Sequence, residues 1–84
     1  RDTIVICELA DQCRASGYIR YAIQCYLYLL DDQPASGDPH FDQVHRSRLH
    51  NNLATCYQDL NDNENALRHY QSSLKILENE NIKD

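Results

Sequence analysis

The sequence predicts an all-α fold of four helices arranged as two antiparallel hairpins, and three observations support this prediction. Apolar residues recur every three or four positions in four segments, which is the spacing of one helical face. The pair Leu9-Ala10 returns 44 residues later as Leu53-Ala54, and Ala22 returns as Ala66 at the same interval. No segment alternates apolar and polar residues for long enough to predict a strand, and the glycines and prolines lie at predicted helix boundaries rather than at β-hairpin turns.

The first hairpin comes from the first third of the chain. Its first helix begins at Thr3, a residue type that caps helices, and ends at Ser16 before Gly17, a common helix stop. Its second helix runs from Ile19 to Asp31. The residues expected to face inward are Ile6, Leu9, Ala10 and Cys13 in the first helix and Ile19, Ala22, Ile23, Tyr26, Leu29 and Leu30 in the second.

The third helix follows a loop, Gln33 to Pro39, that is rich in proline, glycine and serine. Asp38 favours a helix start as the cap, and Pro39 favours it because the N–H that proline lacks is unpaired in a first turn anyway. We expect this helix to end near Leu60. Its inward stripe is predicted to be Leu49, Leu53, Cys56, Tyr57 and Leu60.

A polar turn at residues 61–63 leads to the fourth helix, which is predicted over residues 64–78 and followed by a fraying tail at 79–84. The small residues Ala54 and Ala66 mark the point where the third and fourth helices cross. The inward stripe of the fourth helix is predicted to be Leu67, Tyr70, Leu74 and Leu77.

Composition narrows the class of protein. Of the 84 residues, 42% are hydrophobic and 25% are charged, as expected for one folded domain (1–84) with a modest core. The formal net charge of −5 and the lack of a basic face argue against nucleic-acid binding, so a helical-repeat RNA binder is a minor alternative. No apolar run approaches the roughly 18 residues of a membrane span. The chain begins at Arg1 and has no methionine, so we expect it to be part of a longer protein.

The residue types that carry chemistry do not form a catalytic or metal-binding pattern. No Ser/His/Asp or Cys/His set and no phosphate-binding glycine loop stands out, so we expect no enzyme activity, catalytic residue or cofactor. His40, His45 and His50 are five residues apart, which places successive imidazoles about 140° apart around a helix rather than on one metal-binding face. The four cysteines match no paired zinc spacing, and we expect them to be reduced and mostly buried, as in a cytoplasmic or nuclear protein; a metal or a disulfide is the alternative.

Small and aromatic residues recur at fixed positions in both hairpins. They are Leu9-Ala10, Gly17, Ala22, Tyr26 and Pro34 in the first, and Leu53-Ala54, Tyr57, Ala66, Tyr70 and Leu74 in the second. This pattern resembles the tetratricopeptide repeat (TPR), a helix–turn–helix unit of about 34 residues. The resemblance divides the chain into repeat 1 (3–36), a linker with the N-terminal extension of the third helix (37–46) and repeat 2 (47–80). It implies a short right-handed α-α superhelix. Cys13 and Ser73 depart from the pattern, where an aromatic residue and an alanine are usual.

The interval of 44 residues is longer than the common TPR unit. Lengthened repeats with a glycine-containing linker are a feature of a kinesin-light-chain-like subgroup. The sequence is similar to that subgroup in its linker around Gly37 and in the phrase Leu49-His50-Asn51-Asn52-Leu53-Ala54.

The resemblance implies a scaffold that binds a peptide or a partner helix in a groove lined by the first helix of each unit. Amide side chains in such a groove hold a partner's backbone, and Arg48 suits a carboxylate. The alternative for each residue is an ordinary solvated helix face. The implied groove residues are Glu8, Asp11 and Arg14 in the first unit and Arg48, Asn51, Asn52, Thr55 and Gln58 in the second, with Ile4, Cys7 and Asp59 beside them.

Two features of this face bear on the kind of ligand. Asn52 matches an asparagine with which chaperone-docking TPR proteins clamp a C-terminal carboxylate, but Cys7 and Asp11 replace the clamp's lysine and other asparagine, and the acidic side chains repel an anion. The acidic face of the first unit instead suits a basic or polar segment, or no ligand at all. A basic patch at His45, Arg46, Arg48 and His50 either contacts an acidic partner segment, more tightly as the histidines protonate, or is a solvated helix face.

Assembly is the main alternative function. Two units are fewer than the roughly three that usually form a stable stack, so we expect a further repeat, a second copy of the chain or a bound helix to cover the domain. If assembly is the function, the chain self-associates or heterodimerises and the predicted groove binds no ligand. We expect Ile76 or Leu77 to show on the outer face of the last helix, and the predicted assembly surface is Tyr28, Phe41 and Ile76.

Overall fold

The computed structural model describes residues 3–31 and 37–82, and the regular secondary structure of these residues is entirely α-helical. The helices are α1 (Thr3–Ala15), α2 (Ile19–Asp31), α3 (Pro39–Asp59) and α4 (Asn63–Ile82). The prediction of an all-α fold with four helices is therefore confirmed. The predicted helix ends agree to within one residue, except that α4 continues to Ile82 where fraying was expected.

Some expectations are not tested by these helices. Pro34, one of the positions of the TPR pattern, lies outside the described residues, as does the end of repeat 1 at residue 36. The right-handed superhelix and the division into repeats 3–36 and 47–80 stay predictions.

The two hairpin turns have the same geometry. Gly17 has φ 91°, and the N–H of the next residue donates to the Cys13 carbonyl at 2.7 Å. Asn61, 44 residues later, has φ 63°, and the N–H of the next residue donates to the Tyr57 carbonyl at 2.8 Å. A left-handed residue followed by this hydrogen bond is the Schellman ending of a helix. Glycine adopts that conformation without strain, and asparagine adopts it more readily than other side chains do.

Aspartate side chains cap the N-terminal turns of both helices of the second hairpin, α3 and α4. The Asp38 carboxylate accepts hydrogen bonds from the backbone N–H groups of His40 (3.1 Å) and Phe41 (3.4 Å), as the sequence predicts. The Asp62 carboxylate accepts from the side-chain and backbone N–H groups of Asn65, at 2.7 and 3.3 Å. These two hydrogen bonds lower the pKa of the Asp62 carboxyl because they stabilise its charged form.

Each helix packs against the next one in the chain, so α1 and α4 are the two ends of the series. The inward stripes predicted for α2 and α3 are confirmed, because all their members are buried or half-buried. The alanines predicted at the helix crossings, Ala54 and Ala66, are also buried. One core joins the first three helices, and it consists of Ala10, Ala22, Ile23, Tyr26, Leu29, Leu49, Leu53 and Cys56.

The predicted inward stripes of the two end helices are partly wrong. Leu9 of α1 and Leu67, Leu74 and Leu77 of α4 are exposed. Periodicity groups these leucines on one helix face, but no neighbouring helix of the described chain covers that face. The exposure of Leu77 agrees with the expectation for an outer face, whereas Ile76 is half-buried. Among residues 63–80 of α4, whose side chains are described, the buried ones are instead Ala66, Ser73 and Glu80.

Candidate partner-binding surface

The predicted groove residues all lie outside the core, on α1 and α3. Their side chains divide by exposure: Glu8, Asp11, Arg48, Asn51 and Gln58 are exposed, and Arg14, Asn52 and Thr55 are half-buried. The residues expected beside them follow the same pattern, since Ile4 and Asp59 are exposed and Cys7 is half-buried. This arrangement leaves most of the polar atoms accessible to a partner.

Electrostatic effects link the α1 residues to α3. Cys56 of α3 is fully buried, and burial raises the pKa of its thiol to about 11. The charges of Arg14, Asp59 and Asp11 also act on this thiol, Arg14 lowering its pKa and the two carboxylates raising it.

A buried tyrosine makes a hydrogen bond to one predicted groove residue of the first hairpin. Tyr26 of α2 is 1% exposed, and its hydroxyl donates to the Asp11 carboxylate of α1. Burial, this hydrogen bond and the charge of Asp11 all raise the pKa of Tyr26, so its hydroxyl keeps its proton at physiological pH. The contact orients the Asp11 carboxylate at the surface.

An equivalent tyrosine holds the second hairpin. The Tyr70 hydroxyl of α4 lies 3.2 Å from Thr55 Oγ1 and donates to Gln58 Oε1 at 3.1 Å. Thr55 Oγ1 in turn donates to the carbonyl of Asn51 at 3.1 Å. Tyr70 and Thr55 lie 44 residues after Tyr26 and Asp11, so the two hairpins share this interhelical contact. Apolar periodicity does not predict these two pairings, and their signal in the sequence is the equal separation of 15 residues.

The predicted basic patch does not form a single exposed surface. His50 packs against α4, where its Nδ1 lies 3.0 Å from His69 Nδ1 and the two rings stack at 5.2 Å. Tyr57 stacks on the other ring of this pair, His69, at 5.5 Å. Two imidazole nitrogens at this distance need one donor and one acceptor, which neutral rings supply. Within the patch, Arg48 is the exposed member.

The histidines of this region favour their neutral forms. Burial lowers the pKa of His50 and of His69, and the neighbouring cationic groups lower it further. Burial and the nearby Arg48 likewise lower the pKa of His45, against a smaller opposing effect of Asp42. The idea that this patch gains charge and tightens on an acidic partner therefore receives no support near neutral pH.

Further contacts are apparent only from the structure. His40 Nδ1 lies 2.8 Å from Glu80 Oε1, and this carboxylate is buried on α4. The two residues are 40 positions apart, and no local pattern signals the pair. Of the predicted assembly surface, Phe41 and Tyr28 are exposed and Ile76 is half-buried, and the Phe41 ring stacks on His45 at 6.1 Å.

The cysteines are free thiols in different surroundings. Cys56 is buried, and Cys7, Cys13 and Cys25 are half-buried, so the expectation of mostly buried side chains holds fully for one of the four. Burial raises the pKa of Cys7 and of Cys25, which makes both thiols less reactive.

The described residues show no metal site and no membrane-spanning helix, and their surface depressions lie away from the predicted groove. Within 3–31 and 37–82, no three His, Cys, Asp or Glu side chains are grouped so that they could hold a metal ion. None of the helices described is both long and apolar enough to cross a membrane. Two open depressions, of about 370 and about 260 Å³, lie at the turn end of the hairpins, share Arg20 and Leu60, and are not lined by any predicted groove residue.

Comparison with known proteins adds no relative. No family model, curated protein or solved structure matches this chain.

Proposed function

We propose that this chain is a protein-interaction module that binds a peptide or a partner helix across the polar faces of α1 and α3. The observation that carries the proposal is the pair of equivalent tyrosine contacts, Tyr26 with Asp11 and Tyr70 with Thr55. They hold accessible polar groups at matching positions on the two helices. Polar groups that are already ordered lose less entropy when a ligand binds.

The charges of this face favour one kind of ligand. α1 contributes the carboxylates of Glu8 and Asp11, and α3 contributes the exposed guanidinium of Arg48 with the amide of Asn52 one turn away. A segment with a basic or polar residue toward α1 and a carboxylate toward Arg48 complements this pattern. The proposal assigns no catalytic residue and no cofactor.

The TPR-like spacing supports the same face, because the first helix of each unit lines the ligand groove in that family. The free cysteines are compatible with a reducing compartment, and we place the module in the cytoplasm or nucleus on that basis.

The proposal is tested by selecting ligands and then changing the face. Peptides would be selected from a random display library on the 84-residue chain, and the affinity of the best binder measured by fluorescence anisotropy. The double variant Arg48→Ala with Asn52→Ala should weaken binding by at least about tenfold, or about 1.4 kcal/mol, since both polar contacts are lost. Lys75→Ala, an exposed change on α4, serves as the matched control and should leave affinity unchanged. Equal affinities for both variants would contradict the proposal.

A further inference from the structure

The first observation concerns apolar residues of α1 that lack the cover their counterparts have. Val5 and Leu9 are 56% and 52% exposed. The residues 44 positions later, Leu49 and Leu53 of α3, are 2% and 0% exposed. The same helix positions are thus open in the first hairpin and buried in the second. We call Val5 and Leu9 the head face.

The second observation concerns α4, where the exposed apolar residues belong to the second hairpin and their covered counterparts belong to the first. Leu67 and Leu74 of α4 are 58% and 56% exposed. Their counterparts 44 positions earlier in α2 are Ile23, which is 8% exposed, and Leu30, which is half-buried. We call Leu67 and Leu74 the tail face.

The packing of α2 on α3 shows how these two kinds of face fit together. Ile23 belongs to the same core cluster as Leu49 and Leu53, and Leu30 packs against that cluster. Inside a single chain, the counterparts of the tail face and the counterparts of the head face therefore share one core where α2 packs on α3. Within residues 3–31 and 37–82, the chain contains one completed copy of this interface and one uncovered half of it on each of the end helices α1 and α4.

We propose that a second copy of this chain supplies the missing half, its head face binding the tail face of the first. The occupant follows from the internal example, because both sides of that interface are present and exposed on each molecule. This inference does not depend on the proposed ligand-binding function.

Such an interface is heterologous, because two different surfaces meet. The head face of the first molecule and the tail face of the last stay free, so association continues beyond a dimer. It also differs from the predicted assembly surface at Tyr28, Phe41 and Ile76, which allows the two to be separated by substitution.

The experiment uses sedimentation of the 84-residue chain and three variants. The head variant is Val5→Ser with Leu9→Ser, the tail variant is Leu67→Ser with Leu74→Ser, and the control is Phe41→Ser, an exposed apolar residue outside both faces. The unchanged chain and the control should associate with increasing concentration into species larger than dimers. Each double variant alone should need at least about a hundredfold higher concentration, since burial of two large apolar side chains is lost at each contact.

Mixing supplies the decisive result. The head variant keeps an intact tail and the tail variant keeps an intact head, so a 1:1 mixture should form a heterodimer and nothing larger. Recovery in the mixture also shows that both variants are folded; single changes at Leu9 and Leu74 serve if a double variant loses its helical circular dichroism. A monomeric unchanged chain, dimerisation of either variant alone at the concentrations at which the unchanged chain associates, or loss of association in Phe41→Ser would overturn the inference.

Discussion

At the residue scale, Tyr26 and Tyr70 connect the core to the surface. Each phenol ring lies at the contact between the two helices of its hairpin, and each hydroxyl reaches a polar residue of the first helix. The two sites differ in burial, because Tyr26 is 1% exposed and Tyr70 is half-buried. The hydrogen bond of Tyr26 is therefore the more shielded from water.

Replacement of these tyrosines by phenylalanine should show that difference. Tyr26→Phe removes the donor to Asp11 and should lower the free energy of unfolding by about 1–2 kcal/mol. Tyr70→Phe should cost less than about 1 kcal/mol, since water replaces its contacts more easily. Urea denaturation followed by circular dichroism measures both values. A larger loss for Tyr70→Phe than for Tyr26→Phe would contradict this ranking.

The histidine pair makes stability depend on pH. The pKa values of His50 and His69 are lowered in the folded chain, so the unfolded chain takes up protons first as the pH falls. The stabilisation from the neutral pair is fully present above the unfolded pKa of about 6.5 and is lost as the pH falls through the lower folded values. Protonation also places two like charges close together, beside Arg46 and Arg68.

The variant His69→Gln tests the origin of this effect. Glutamine keeps a donor and an acceptor near His50 and does not titrate, so the loss of stability between pH 7 and pH 5 should be smaller than in the unchanged chain. The measurement is the urea midpoint across that range. An unchanged pH dependence in the variant would assign the effect to other groups.

At the element scale, the two hairpin turns are equivalent in geometry and different in sequence. Gly17 and Asn61 both adopt left-handed backbone conformations at the same point of the turn. A Cβ at Gly17 would meet no atom within 4 Å, so any cost of a side chain there comes from the backbone alone.

Two single substitutions, one in each turn, test this geometry. Gly17→Ala should lower the free energy of unfolding by about 1 kcal/mol because alanine is strained at this positive φ. Asn61→Gly should change it by less than about 0.5 kcal/mol, because glycine adopts the conformation freely but is more disordered when unfolded. Thermal or urea unfolding measures both. No loss in Gly17→Ala would argue against the left-handed turn.

The helices were predictable from the sequence because their signals are local. The cap at Asp38, the stop at Gly17 and the apolar periodicity place all four helices, and the stripe of α2 is correct because α2 has a helix on either side. The same reasoning fails at Leu9 and Leu67. Periodicity identifies a shared face and does not reveal whether a neighbour covers that face.

The candidate site was predictable only in part, for a related reason. The choice of exposed residues such as Arg48 follows from helix positions, which the sequence contains. The fixing of Asp11 by Tyr26 and the pairing of His50 with His69 depend on contacts between helices. Only the tyrosine contacts have a sequence signal, which is their repetition at 44 residues.

At the scale of the whole molecule, the chain presents two separable surfaces. The polar faces of α1 and α3 are proposed to bind a partner segment, and the head and tail faces are proposed to bind further copies. Because these surfaces use different residues, Arg48 and Asn52 in one case and Leu9 and Leu74 in the other, each can be changed while the other is kept.

The most direct test of the central claim is an NMR titration of the isotope-labelled chain with a display-selected peptide. It would be carried out on the tail variant, so that self-association does not contribute. The account predicts chemical-shift changes concentrated at amides on the polar faces of α1 and α3, around Glu8, Arg48 and Asn52. Changes confined to α2 or α4, with those amides unaffected, would contradict it.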